Sequence, residues 1–214
     1  MLFNLNNLIQ KYQAKINGVI QIGAHYGTEI DLFLENEIKN IICFEPVPST
    51  FEILKQNAKN KAIIVNLAVG NENKTIEMNI ETANDGQSSS ILKPALHLIQ
   101  YPHITFNSKI EVEMIRLDNY VQKYNNENNL HINNSSYNFI CLDVQGYELE
   151  VFKGAANTLN EIDYILCEVN RDVVYYGCPM VNELDDYLKK YNFRRVETTW
   201  DGNIWGDAFY IKIK

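Results

Sequence analysis

No run of 18 or more apolar residues occurs in the 214-residue sequence, so a membrane-spanning helix is not expected. Positive charge is also scarce. Nineteen Lys and Arg stand against 27 Asp and Glu, a formal net charge of −8, and there is no basic stripe of the kind that neutralises phosphates. Nucleic acid and anionic lipid are therefore excluded as expected partners. The opening residues, Leu2 to Asn7, lack both a basic segment and a long apolar segment, and the expectation is a soluble, cytoplasmic protein without membrane insertion. Cysteine is sparse: Cys43, Cys141, Cys167 and Cys178 form no C-x-x-C pair, and no His stands at zinc-finger spacing from them. Three of the four lie inside apolar runs, where a thiol behaves as a small buried hydrophobe. Internal repeats and a second domain are absent too, and the length fits one domain over residues 1–214.

What is present is an alternation of two periodicities. Val19–Ile22, Ile41–Phe44, Ile63–Leu67, Phe139–Leu142 and Tyr164–Val169 are continuous apolar runs, the pattern of strands covered on both faces. Between them Ile30, Phe33, Leu34 and Ile38 mark one helix face opening near Thr28, and Ser49-Thr50-Phe51-Glu52 has the form of a capping box ahead of another. Leu149, Phe152, Ala156 and Leu159, then Val181, Leu184, Leu188 and Tyr191, continue the series. The expected fold is an open α/β sheet with helices on both faces. A short helical lead precedes it over 1–17. Residues 74–117 form an insertion with two half-exposed antiparallel strands, 75–80 and 109–114, flanking a polar loop from Ala83 to Ser90. Asp118 is the expected N-cap of the helix after the insertion, the Asn-rich stretch 125–136 reads as a surface loop, and 194–200 with 208–213 reads as a closing hairpin.

Ligands of open α/β sheets bind beyond the C-terminal strand ends, so the residues leaving each strand carry the chemistry. The first strand runs into Gly23-Ala24-His25-Tyr26-Gly27, whose glycines permit a tight turn and close backbone approach. Glu45 ends the second strand, 22 residues after Gly23, about where an acid reaches a ribose. The fourth strand ends at Asp143 and the fifth at Glu168, so three acids leave three strands at one edge. An exposed strand-end charge for Glu45, a helix cap for Asp143 and a rim charge for Glu168 are the plain structural alternatives. A glycine turn followed by an acid also suits a nicotinamide-dependent oxidoreductase, but G-x-G-x-x-G is missing.

In this order, Val19-Ile20-Gln21-Ile22-Gly23-Ala24-His25-Tyr26-Gly27, Phe44-Glu45-Pro46, Asn66-Leu67-Ala68-Val69-Gly70, Asp143-Val144-Gln145-Gly146-Tyr147-Glu148 and Cys167-Glu168-Val169 resemble the motifs of the FkbM-type S-adenosylmethionine-dependent O-methyltransferases. The resemblance spans about residues 17–170 and the C-terminal hairpin. It implies a Rossmann-like class I methyltransferase: a mostly parallel seven-stranded sheet with an antiparallel hairpin at its C-terminal end. It also implies S-adenosyl-L-methionine as cofactor, with Gly23, Ala24, His25 and Gly27 at its amino-acid part, Glu45 and Pro46 at its ribose, and Asn66 and Ala68 at its adenine. Ser89 belongs to the matching serine loop, and Asp143 and Gln145 to the methyl-transfer end. The implied acceptor is a sugar or glycan hydroxyl such as that of a terminal deoxyhexose. A small-molecule hydroxyl and a non-catalytic cofactor-binding protein are the alternatives. The family pattern has acids where this chain has Gln21 and Gln145, which removes charge from both positions.

Methyl transfer to a hydroxyl requires alignment and removal of a proton, by a base or through a hard cation. Asp143, Glu168 and His25 are the expected catalytic groups, with Glu148 near them. Asp143 and Glu168 are also the expected ligands if Mg²⁺ or Ca²⁺ takes part. Arg171, Tyr175 and Tyr176, with the aromatic hairpin from Trp200 to Trp205, are the expected acceptor contacts. A homodimer is among the expected assemblies.

Overall fold

A computed structural model describes residues 2–128, 132–202 and 204–213. The chain runs α1 (Leu5–Tyr12), β1 (Gly18–Ile22), α2 (Glu29–Glu35), β2 (Asn40–Phe44), α3 (Pro48–Ala58), β3 (Ile63–Val65), β4 (Ala68–Val69) and β5 (Lys74–Glu81). There follow α4 (His97–Gln100), β6 (Phe106–Ile115), α5 (Leu117–Asn128), β7 (Phe139–Leu142), α6 (Glu148–Gly154), a 3₁₀ turn (Thr158–Asn160), β8 (Tyr164–Asn170), α7 (Val181–Lys189), β9 (Phe193–Asp201) and β10 (Trp205–Lys212).

The main sheet has seven strands in the order β3-β2-β1-β7-β8-β10-β9. The first five are parallel, while β10 runs antiparallel to both β8 and β9. Strand order reverses between β1 and β7, which creates the crevice where ligands of such sheets bind. The runs that look uniformly apolar in sequence alternate between two cores. Ile20, Ile22, Ile42, Phe44, Ile140 and Leu142 join one, and Val19, Ile41, Cys43, Phe139 and Cys141 the other, as strand geometry requires. All four cysteines are free and buried.

The insertion's β5 and β6, with Thr75 paired to Glu113 antiparallel, form a separate three-stranded sheet with the preceding β4, in the order β4-β6-β5. Four local expectations need correction. Helix α3 starts at Pro48 after Val47, with no side-chain cap bond, so Ser49 is not its cap. The Val47 amide is bound instead by the Glu45 carboxylate at 2.9 Å. Asp118 sits inside α5, and its carboxylate accepts from the amides of Asn157 and Thr158 at 2.8–3.1 Å, capping the 3₁₀ turn. The periodic segment 149–159 is not one helix. A Cβ on Gly154 would lie 1.8 Å from the Gly70 carbonyl oxygen, a close approach that only glycine allows, and α6 ends there. Finally, α5 reaches Asn128 and so occupies part of the expected loop; residues 129–131 lie outside those described.

Candidate active site

A cavity of about 670 Å³ opens at the C-terminal edge of the main sheet, within the usual size of a small-molecule site. Its floor is formed by the ends of β1, β2, β7 and β8 with Asp207 of β10, and the insertion covers it.

At one end lies the glycine turn. Gly23 and Gly27 have φ of +81° and +73°, and His25 between them is also left-handed at +48°. The Gly23 and Ala24 amides donate to the Phe44 carbonyl at 3.0 and 2.9 Å, and Gly27 donates to Ala24 at 2.8 Å. These amides are therefore spent on fixing the turn against β2. Glu45 is buried at the same edge, one carboxylate oxygen accepting from the His25 amide and the other from Val47, both at 2.9 Å. Burial pushes its pKa up to about 7 despite those two bonds. Pro46, Ala68 and Ser89 also line the cavity. Asn66 does not: it is exposed, and its amide donates to the Glu45 and Pro46 carbonyls at 2.8 and 3.1 Å, so it braces the strand end. Gln21, buried beneath the turn, donates to Glu29 at 3.1 Å.

At the other end three acids meet. Asp143 faces the cavity, Glu168 lies deeper, and Asp207 pairs directly with Glu168 across the β8–β10 register. One side chain joins the first two: the Gln145 Nε2 amide donates to Asp143 Oδ1 at 2.7 Å and to Glu168 Oε2 at 2.9 Å. The amide is oriented from its other side, where Oε1 accepts from the Tyr175 hydroxyl at 2.7 Å. Gln145 has a left-handed φ of +54°, held by a bond from Ser90 Oγ to its carbonyl at 2.7 Å. Burial raises the Glu168 pKa well above its ordinary value, and the charges of Asp143, Glu148 and Asp207 add to the rise. Enclosure by protein also raises Asp143, against the opposing bond from Gln145.

The expected cation does not fit this arrangement. The Gln145 amide, itself a donor, lies between the two carboxylates where a cation would have to be held. Among the described residues no group of three or more His, Cys, Asp or Glu could hold a metal ion. Glu148 is not part of the cavity lining. Its Oε1 accepts from the Val144 and Gly146 amides at 3.3 and 3.0 Å, so it ties down the turn that carries Gln145.

Burial, its largest cause, pushes Glu148 from 4.5 up to about 7. Its folded pKa lies above the unfolded one, so its contribution to stability is full below the unfolded value and is lost as pH rises toward the folded value. Thermal denaturation is expected to show Tm falling between about pH 5 and pH 7, with Glu45 acting in the same sense. Glu148→Gln should flatten that fall; an unchanged pH slope in this variant would refute the assignment.

His25 takes a role that its sequence position does not suggest. Its Nε2 lies 2.8 Å from the Asp85 carbonyl, joining the glycine turn to the loop that roofs the cavity. The same loop is gripped from below by buried Glu81, whose carboxylate accepts from the Ala83, Asn84 and Gly86 amides. Of the acceptor contacts expected from sequence, none among Arg171, Tyr175 and Tyr176 lines the cavity. Arg171 stacks on Trp200 at 3.6 Å, Tyr175 is fully buried behind Gln145, and Tyr176 is 64% exposed. Asp207, His97 and Tyr101 line it instead. Asp207 was hidden because the sequence reads as a long turn over 201–207, where β10 already begins at Trp205.

A sheet whose order reverses beside a glycine turn and which closes with an antiparallel hairpin, β10 between β8 and β9, has the architecture of the Rossmann-like methyltransferases, whose cofactor is S-adenosylmethionine. Residues 21–195 match the FkbM methyltransferase domain, and the chain belongs to that family. The 2-O-methyltransferase NoeI of Sinorhizobium fredii is 27% identical over 182 residues, which cover 81% of this chain and 71% of NoeI. Two solved structures share the fold. Magnesium protoporphyrin IX methyltransferase from Synechocystis, with bound cofactor, has a TM-score of 0.53 at 8% identity, covering 98% of this chain and 76% of its own. A methyltransferase from Aquifex aeolicus has a TM-score of 0.52 at 9% identity, with 99% and 91% covered.

Proposed function

We propose that this methyltransferase transfers the methyl group of S-adenosylmethionine to a hydroxyl oxygen of a sugar or glycan. The observation that carries the reading is the acid pair Asp143 and Glu168 bridged by one amide at the edge of a cavity large enough for a cofactor and an acceptor. NoeI, named a 2-O-methyltransferase, supports oxygen as the methylated atom. The bound cofactor supplies an electrophilic methyl group on a sulfonium. Gly23, Ala24 and His25 would hold its amino-acid part on the turn that Gly27 closes without lining the cavity, Glu45 and Pro46 its ribose, and Ala68 and Ser89 would close over the rest. Fixed backbone at the turn means that little ordering is left to be done on binding, which favours alignment of the reacting atoms.

The protein's further task is to receive the hydroxyl proton. Asp143 is the proton acceptor, because its carboxylate faces the cavity while Glu168 lies deeper. Burial and the charges of Asp143, Glu148 and Asp207 favour the protonated form of Glu168, which spares Asp143 a second negative neighbour. Because Gln145 rather than a cation holds the pair, activity in excess EDTA is expected to equal activity with added Mg²⁺ or Ca²⁺. Loss of turnover in EDTA, restored by either ion, would overturn this metal-free assignment. The reading as a whole is tested by incubating the protein with S-adenosylmethionine and glycosides bearing rhamnose, fucose or hexose termini. Release of S-adenosylhomocysteine with one new methyl ether by linkage analysis is expected; turnover only with non-sugar hydroxyls would overturn the sugar reading.

A further inference from the structure

Cofactor contacts occupy only part of the cavity. Glu45 directly follows β2 and Trp205 begins β10, and the order β2-β1-β7-β8-β10 separates them by four interstrand steps, about 19 Å across the sheet. Side chains two apart on a strand share a face, so Trp205 stands on the same side of β10 as Asp207, which is paired with Glu168. An indole therefore stands next to the acid cluster, on the side away from the glycine turn. It is held there: Trp205 Nε1 donates to the Tyr101 hydroxyl at 3.0 Å, and Tyr101 follows α4 of the insertion.

One turn earlier in α4 stands His97, with a relative exposure of 4%. Its ring lies 5.2 Å from the Tyr101 ring, and its Nε2 is 3.0 Å from Ser88 Oγ. Its Nδ1 has no hydrogen-bond partner among the described residues. That nitrogen is sealed within the ring packing rather than open to the cavity, so His97 shapes the wall through its contacts with Tyr101, Phe106 and Tyr175 and its bond to Ser88. Burial lowers the His97 pKa, which keeps the imidazole neutral and uncharged toward a neutral ligand.

We propose that this end of the cavity is the acceptor subsite, in which the face of a pyranose ring lies against Trp205 and Tyr101, which line the cavity together with Asp207. The inference rests on the sugar reading above and adds to it the place of the sugar and the groups that recognise it. An aromatic face with a polar edge suits a ring that is apolar on one face and hydroxylated at its rim, and the neighbouring acids favour a neutral sugar over an anionic one. The floor acid Asp143 lines the same cavity, so a hydroxyl of the seated sugar is delivered to the group proposed to take its proton.

The chain has two tryptophans, so Trp200→Phe leaves Trp205 as the single indole reporter. In this background, saturated with S-adenosylhomocysteine, the α-methyl glycosides of L-fucose, L-rhamnose and D-glucose are titrated, with catechol as a hydroxylated compound that is not a sugar. At least one glycoside is expected to change Trp205 emission saturably. In steady-state assays, Trp205→Ala should raise KM for that glycoside about tenfold, with S-adenosylhomocysteine affinity within about twofold of the parent. Trp205→Phe, which keeps a flat face, should restore most of the loss and shows that truncation did not act through misfolding. If a glycoside is methylated yet neither Trp205 emission nor KM in Trp205→Ala changes, the subsite is wrong while the sugar reading stands. If no glycoside binds or reacts and catechol is methylated, the sugar reading itself fails and the subsite falls with it.

Discussion

Asp143→Asn is expected to lower kcat by about 10²- to 10⁴-fold, the usual contribution of a positioned base, while Glu168→Gln lowers it by less than about tenfold. The asymmetry follows from two neighbouring carboxylates that cannot both be charged at low cost. Both accept from the same Gln145 amide, at 2.7 and 2.9 Å, so the amide alone does not distinguish them. Their surroundings do. Glu168 is buried beside Asp207 and carries the accumulated repulsion of Asp143, Glu148 and Asp207, which together favour its protonated form. Asp143 opens to the cavity, where an incoming hydroxyl can reach it. Glutamine copies the neutral, protonated form of Glu168, and asparagine removes the proton acceptor at Asp143. S-Adenosylhomocysteine binding, measured by calorimetry, should remain within about threefold in both variants if neither has perturbed the fold, since a one-unit change in log affinity is only about 1.4 kcal/mol. Equal losses of kcat in the two variants would reject the division of labour.

Most of the sheet was legible because its signal is local. Apolar runs of four to six residues at β1, β2, β7 and β8 can only be doubly covered strands, and the acids that follow them must emerge at one edge. The bridge between those acids was not legible, since it depends on Gln145 adopting a left-handed φ and on Tyr175, thirty residues away, orienting its amide. Tyr175 in the sequence looks like an acceptor contact; only the fold shows that its ring is buried and its hydroxyl turned to Gln145 and the Ser88 carbonyl. Asn66 failed to reach the cavity for a related reason. Its short amide finds two carbonyls at the end of β2 before it can reach anything else. His97 lay in a segment without clear periodicity, where four residues of helix are too few to give a pattern. Sequence spacing thus reports which residues leave a strand, whereas pairing between side chains from distant segments is set by tertiary packing.

Gly23→Ala is expected to cost about 3 kcal/mol or more of stability, from two independent sources. The φ of +81° is a conformation in which an alanine loses roughly 1–2 kcal/mol. The larger source is steric. A Cβ at this position would lie 1.8 Å from the Asp143 carbonyl oxygen and 2.9 Å from its carbonyl carbon, so β1 and β7 would have to separate at their ends. That separation would strain the bond from the Asp143 amide to the Ile22 carbonyl, now 3.0 Å, and would move the glycine turn away from the Asp143 carboxylate. Stability and cofactor affinity should therefore fall together. For a chain of this size, 3 kcal/mol corresponds to a Tm lower by about 6–12 °C. Gly177→Ala supplies the control. Its φ of +84° is nearly the same, but nothing lies within 4 Å of the added carbon, so it should show the conformational cost alone, about 1 kcal/mol, with cofactor affinity unchanged. Paired thermal denaturation and S-adenosylhomocysteine calorimetry on the two variants would separate the terms. Equal losses from both would mean that the contact between Gly23 and the Asp143 backbone does not hold the two halves of the site in register.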